Sequence, residues 1–276
     1  MSRRMPWICG GVIMAEMKDN VTEDPTPVQF HKFDREVPVD AAITHIGPID
    51  KEIVKVLSVD FDFIMYPCIN LYNDLCAGDE NPTVGWDRIE AMRNVEDKLT
   101  FDKRYYMFIY KLIMQNVAQG AAFFAINEHQ DIVDILHNRM MDVECDVKFD
   151  LLNIDHHHDF MYNIDKQDLL DFDKYNCGNW YAYLYYKGYL DDSSGEAEVK
   201  WLGTPTSQPY NGPDNDKVKR LTIEVDGEEI LKDKFDLIVV CFSPQWTPHK
   251  YKYLYDIIVE TAGMIQGIIA KEAIIP

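Results

Sequence analysis

The sequence predicts an α/β domain in which helices cover both faces of a mostly parallel central sheet. Three observations carry that prediction. Four short apolar runs recur along the chain, each of strand length. Every run ends in a polar cluster, and amphipathic helical spacing follows most of them. The order of signals is therefore strand, helix, strand, helix, which suits parallel strands joined by crossovers.

Residues 1–50 are mixed, and 20–40 is rich in Asp, Glu and Pro, a loop composition. The first strand signal is 55–64, with acids at its tail and Pro67 beyond. Residues 70–85 form a predicted loop around Gly78 and Pro82. Apolar positions Ile89, Met92 and Val95, then Tyr106, Ile109, Leu112, Ile113 and Val117, predict helical stretches over 86–118. A strand at 121–126 precedes a helix at 131–141 with Ile132, Ile135, Leu136 and Met140 on one face. The third strand is 149–154. An aromatic helix or strand starts at Trp180. Residues 203–216 are a Pro/Gly/Asn loop, and alternation of Leu221, Ile223 and Val225 before Asp226-Gly227 predicts a hairpin over 219–231. The fourth strand is 235–242, and Leu254, Ile257, Ile258 and Met264 mark a C-terminal helix. The expectation is one domain over 1–276, with 1–50 unassigned and 200–234 a loop and hairpin insertion.

Composition narrows the function. Asp and Glu total 47 against 27 Lys and Arg, a formal net charge of -20. Such a chain repels phosphate backbones and anionic membranes, so neither nucleic acid nor a membrane is expected as a partner. Cationic substrates and metal ions are compatible with it. The six cysteines are scattered without a CxxC pair, which predicts a reduced, cytoplasmic protein. No stretch of 18 apolar residues offers a membrane span.

The chemistry concentrates at strand ends, where open parallel sheets bind ligands. The first strand carries Asp60-x-Asp62, the second is followed by His129, and the third by Asp155-x-His157-x-Asp159. Continued extension would place alternate side chains on one face, so that Asp60 meets Asp62 and Asp155, His157 and Asp159 converge. Four carboxylates and two imidazoles repel or compete unless a cation lies between them. An oxygen-rich donor set without thiols suits Mn²⁺ ahead of Zn²⁺, and bridging carboxylates suit a pair of ions.

These residues resemble a known family. Asp155-x-His157-x-Asp159 is similar to the DxHxD metal motif of the arginase–agmatinase (ureohydrolase) family. His129 resembles its lone histidine ligand, and Ser58-Val-Asp60-Phe-Asp62 its S-x-D-x-D motif. SVDFDF, NIDHHHD, NCGNW (176–180) and SPQWTP (243–248) together resemble the arginase-related group that includes the peptide arginases. The resemblance implies a three-layer α/β/α arginase-like fold. It implies two Mn²⁺, one held by His129, Asp155, Asp159 and Asp60, the other by His157, Asp155, Asp60 and Asp62. It also implies hydrolysis of the guanidinium C–N bond of arginine, within a peptide or as a small guanidino substrate, to ornithine and urea. Asp62 or Asp159 would accept a proton. A pocket carboxylate for the cationic substrate would be Glu128, with Asp74 another candidate. Asn176, Asn179 and Trp246 are candidate pocket-lining residues. The Asp-x-Asp strand precedes the DxHxD strand here, the reverse of ordinary arginases, and His156, His158 and His249 are the candidates for a proton shuttle.

Two rival readings stand beside this one. The first is an amide deacetylase with one Zn²⁺ held by Asp155, His157 and one N-terminal aspartate. The second is an inactive binder of cationic peptides. Helices 86–118 and the 219–231 segment could serve a peptide groove or a homo-oligomer contact.

Overall fold

The computed structural model describes residues 53–272, apart from 69–70, 72–74, 76–81, 93–94, 142–146, 161–165, 172 and 209–213. Asp74 and the segment 1–50 lie outside the described residues. The strands are β1 (Ile53–Asp60), β2 (Ala122–Ile126), β3 (Lys148–Ile154), β4 (Val199–Leu202), β5 (Val218–Leu221) and β6 (Leu237–Cys241). The helices are α1 (Pro82–Glu90), α2 (Lys103–Val117), α3 (Ile132–Met141), α4 (Lys166–Asp171), α5 (Trp180–Tyr186), α6 (Ile223–Ile230) and α7 (Lys252–Glu272).

All six strands are parallel and join one sheet in the order β2-β6-β1-β3-β4-β5. Strand parity builds the two outer layers. Leu57 and Val59 of β1, Leu152 and Ile154 of β3, and Ile238 and Val240 of β6 face α2 and α7 through Ile109, Leu112, Ile113, Leu254 and Ile258. The alternate residues Val54, Val56, Phe149, Leu151, Leu237 and Val239 face α3 and α5 through Ile132, Leu136, Trp180 and Leu184. The same parity carries Ser58 and Asp60, Asn153 and Asp155, and Cys241 toward the α3/α5 layer at the carboxyl ends of three adjacent strands. The result is the three-layer α/β/α arrangement that the pattern of apolar runs predicts.

Two expectations need correction. The first strand stops at Asp60, and Phe61–Met65 form a 3-10 turn. The Asp60 side chain caps it by accepting from the Asp62 amide at 3.1 Å. Phe61, Phe63, Ile64 and Met65 are all buried, so the apolar run could not mark where the strand ends. The expected hairpin over 219–231 is absent; β5 lies parallel to β4, and α6 follows it. The helical period explains this. Gly227 and Ile230 are buried, whereas Val225 is 79% exposed. A Cβ at Gly227 would sit 3.3 Å from both Phe108 and Ile223, so this glycine serves close packing on α2 rather than a turn. Together with β4, which the alternation did not reveal, 200–234 extends the main sheet rather than interrupting it.

Candidate metal centre

Three strands, β2, β1 and β3, with β6 lying between the first two, bring the six sequence-predicted side chains together at their carboxyl ends. Asp60, Asp62, His129, Asp155 and Asp159 are buried, and His157 is 18% exposed, the most open of the set. His129, one turn beyond β2, points its Nδ1 at three carboxylates: Asp60 Oδ2 at 3.2 Å, Asp155 Oδ2 at 3.3 Å and Asp159 Oδ2 at 2.9 Å. None of the three meets that nitrogen in hydrogen-bonding geometry. On the other side of the ring, Nε2 lies 2.7 Å from Ser58 Oγ. If Nε2 carries the proton and donates to Ser58, the Nδ1 lone pair faces the carboxylates, the tautomer a metal ligand needs.

A second grouping adjoins the first. His157 Nδ1 lies 3.2 Å from Asp62 Oδ2, an oxygen with no hydrogen-bond partner. Ligand atoms of Asp60, His129 and Asp155 lie within 4.8 Å of one another, and so do those of Asp62, Asp155 and His157. Asp155 belongs to both groups. Each has the size of a coordination sphere, so the cluster could hold a metal ion.

The convergence does not come from extended backbone, as the i, i+2, i+4 spacing suggests. Asp155 Oδ1 accepts from the His157 amide at 2.9 Å, which bends the chain just after β3. Asp62 Oδ1 accepts from the His156 amide at 3.2 Å and ties that turn to β1. Asp159 has a left-handed φ of 51°, costly for a residue with a Cβ, and Trp180 Nε1 donates to its Oδ2 at 2.6 Å. Asp155 and Asp159 thereby turn toward His129, and His157 toward Asp62.

Charge explains why the arrangement calls for a cation. Burial, then the neighbouring Asp159 and Asp60, push the Asp155 carboxyl up to about 7. Burial, then Asp60 and Asp155, hold Asp62 well above the usual carboxylate range. Burial also raises Asp159. Burial acts downward on both imidazoles, but the carboxylates override it: His129 is raised well above its ordinary value, and His157 is pushed up to about 10 by Asp62. The cluster retains protons in place of cations, and buried Asp62 Oδ2 and His129 Nδ1 lack hydrogen bonds that a metal would replace. The donor set fits a hard or borderline divalent ion.

The remaining candidates separate. Trp246 is buried, with its ring centroid 5.3 Å from that of His157. Asn176 and Asn179 build the turn that starts α5: Asn179 Oδ1 accepts from the Asn176 amide at 2.7 Å, and Asn176 Oδ1 from the Gly178 amide at 2.9 Å. Asn179 Nδ2 stays buried without a hydrogen bond. Glu128 is exposed at the head of the turn that carries His129. His156 is held neutral, its pKa lowered to about 3 by burial and by His157, with Nδ1 3.0 Å from Thr204 Oγ1. His158 is lowered to about 3 for the same reasons, and its Nδ1 accepts from the Phe160 amide. Both are fixtures of the loop rather than ready proton carriers.

Sequence reasoning missed the supporting shell. Trp180 and Ser243 each donate to a carboxylate of the cluster, Trp201 Nε1 donates to the Asp155 carbonyl at 3.0 Å, and Ser207 Oγ to the His156 carbonyl at 2.7 Å. Trp180 and Ser243 lie in the NCGNW and SPQWTP segments, but no spacing marks them as supports.

No family model matches the chain, and neither a curated protein nor a solved structure matches it. Among the described residues, no helix is long and apolar enough to cross a membrane.

Proposed function

We propose that the chain is a binuclear manganese hydrolase of the arginase-related family, acting on the guanidinium C–N bond of peptidyl arginine to give ornithine and urea. One observation carries the reading: two ligand groups of metal-site size share Asp155, and each contains a buried ligand atom without a hydrogen bond. A single Zn²⁺ would leave one of the two groups without a task. Asp60, His129, Asp155 and Asp159 would hold one ion, and Asp62, Asp155 and His157 the other. Asp60, which the resemblance puts in both sets, gives one oxygen to the Asp62 amide and turns the other to His129, which favours the first set alone. Such a pair supplies a nucleophile from water near neutral pH and stabilises developing charge.

The chain's own residues do the rest. Asp62 and Asp159 are buried in the cluster, where either would accept a proton during the reaction. Trp246, buried against the more open His157, would form a wall of the substrate pocket on that side. Glu128, at the surface beside His129, is placed to attract the cation.

Elemental analysis of the purified protein, followed by urea release from arginine-containing peptides and from free arginine, tests the proposal. About two manganese per chain and urea from peptides are expected. One zinc per chain with amide deacetylation would replace the reading, and metal-free protein without urea release would end it.

A further inference from the structure

The strands that supply Asp60 and His129 are not neighbours, because β6 runs between β1 and β2. Cys241 lies level with both, paired in register with Asp60 on one side and Ile126 on the other. β6 contributes no candidate ligand. Two residues past Cys241, Ser243 Oγ instead donates to Asp60 Oδ2 at 2.5 Å. This is the oxygen 3.2 Å from His129 Nδ1. The other Asp60 oxygen already accepts from the Asp62 amide.

Ser243 is an unusual choice for its backbone. Its φ is 47°, a left-handed conformation that glycine tolerates and serine does not favour. A tight turn maintains it: the Trp246 and Thr247 amides both donate to the Ser243 carbonyl, at 2.9 and 3.1 Å. Its hydroxyl also lies 3.2 Å from Cys241 Sγ, whose thiol donates to the Asn127 carbonyl at 3.3 Å. With that thiol proton committed elsewhere, the Ser243 proton goes to Asp60. A strained serine is kept where glycine would fit the backbone, and its one proton serves one carboxylate oxygen.

We infer that Ser243 is a positioning residue, orienting Asp60 Oδ2 for a cation at the His129 end of the centre and leaving the Asp62–His157 end untouched. The inference rests on the two-ion reading above and adds an asymmetry to it: the two positions depend on different supports.

The test uses Ser243→Ala and Ser243→Gly in the full chain. Mn²⁺ affinity is measured by competition with a chelator, and melting of the metal-free protein is followed in parallel. Both variants are expected to lose roughly 10- to 100-fold in affinity at one of the two positions and to keep the other. Metal-free Ser243→Gly should melt above Ser243→Ala, because glycine relieves the left-handed strain while removing the same hydroxyl. A gain in melting with a loss in affinity separates positioning from folding. Two positions of unchanged affinity in both variants would overturn the inference, and so would equal weakening of both positions. Wild-type chain that takes up no Mn²⁺ would overturn the two-ion reading itself, and this inference with it.

Discussion

Replacing Asp155 by Asn should stabilise the metal-free protein at alkaline pH while abolishing metal uptake. Asp155 is buried among Asp60, Asp62 and Asp159, and its carboxyl is raised from 3.8 to about 7. A folded-state pKa above the unfolded value means that the folded protein binds the proton more tightly. The resulting stability is fully present below about pH 4 and is lost as pH rises through about 7. Three pH units at about 1.4 kcal/mol each give a loss of about 4 kcal/mol on ionisation. Asparagine stays neutral and avoids that loss. Against it, the Asp155 oxygen that accepts from Asn153 Nδ2 could become an amide nitrogen, which forfeits about 1 kcal/mol of hydrogen bonding. Asp155→Asn should therefore exceed wild type by about 3 kcal/mol at pH 8 and fall about 1 kcal/mol short at pH 4. Urea denaturation with a chelator present, at both pH values, measures the difference. In the same variant, Mn²⁺ should no longer raise the melting temperature, since both ligand groups include Asp155. An Asn variant equally destabilised at both pH values would refute the charge argument.

Other outcomes follow from the same geometry. Mn²⁺ uptake should release protons and strengthen with rising pH, because His157, pushed up to about 10, and Asp155, at about 7, hold protons that must leave. Calorimetry in buffers of different ionisation enthalpy counts them, and no release at pH 7 would contradict the pKa directions. Ser58→Ala removes the partner of His129 Nε2 and should weaken Mn²⁺ binding roughly 10- to 100-fold in a chelator competition. Gly203→Ala would place a Cβ 2.9 Å from the Trp201 ring, whose Nε1 holds the Asp155 carbonyl. It should cost about 1–3 kcal/mol in denaturant unfolding and reduce metal uptake as well.

The strands β1, β2, β3 and β6 were legible because each is an apolar run closed by polar residues. The acids and histidines that end them were legible for the same reason, since a hydrophobic pattern makes a buried Asp or His conspicuous. β4 was not, because Val199–Leu202 is only four residues long and includes a lysine. The 219–231 segment misled because Leu221, Ile223 and Val225 fit a period of two, while the buried Gly227 and Ile230 obey the helical period. Local alternation could not choose between them; contact of Gly227 with Phe108 did. The strand that was expected to run to residue 64 ends at Asp60 because that carboxylate caps the next turn, an interaction that apolar patterning does not encode.

By itself, the sequence determined the α/β class, the place of Asp60, His129 and Asp155 just at or beyond strand ends, and the residue types able to hold a cation. Only the tertiary structure decided how they meet. The order β2-β6-β1-β3 sets His129 against Asp60, Asp155 and Asp159, and aims His157 at Asp62. It also brings Trp180 and Ser243 onto the carboxylates. The physical reason is range. Periodicity and capping act within a few residues, whereas the field that raises a buried carboxyl arises between side chains that only the packed sheet brings within a few ångströms.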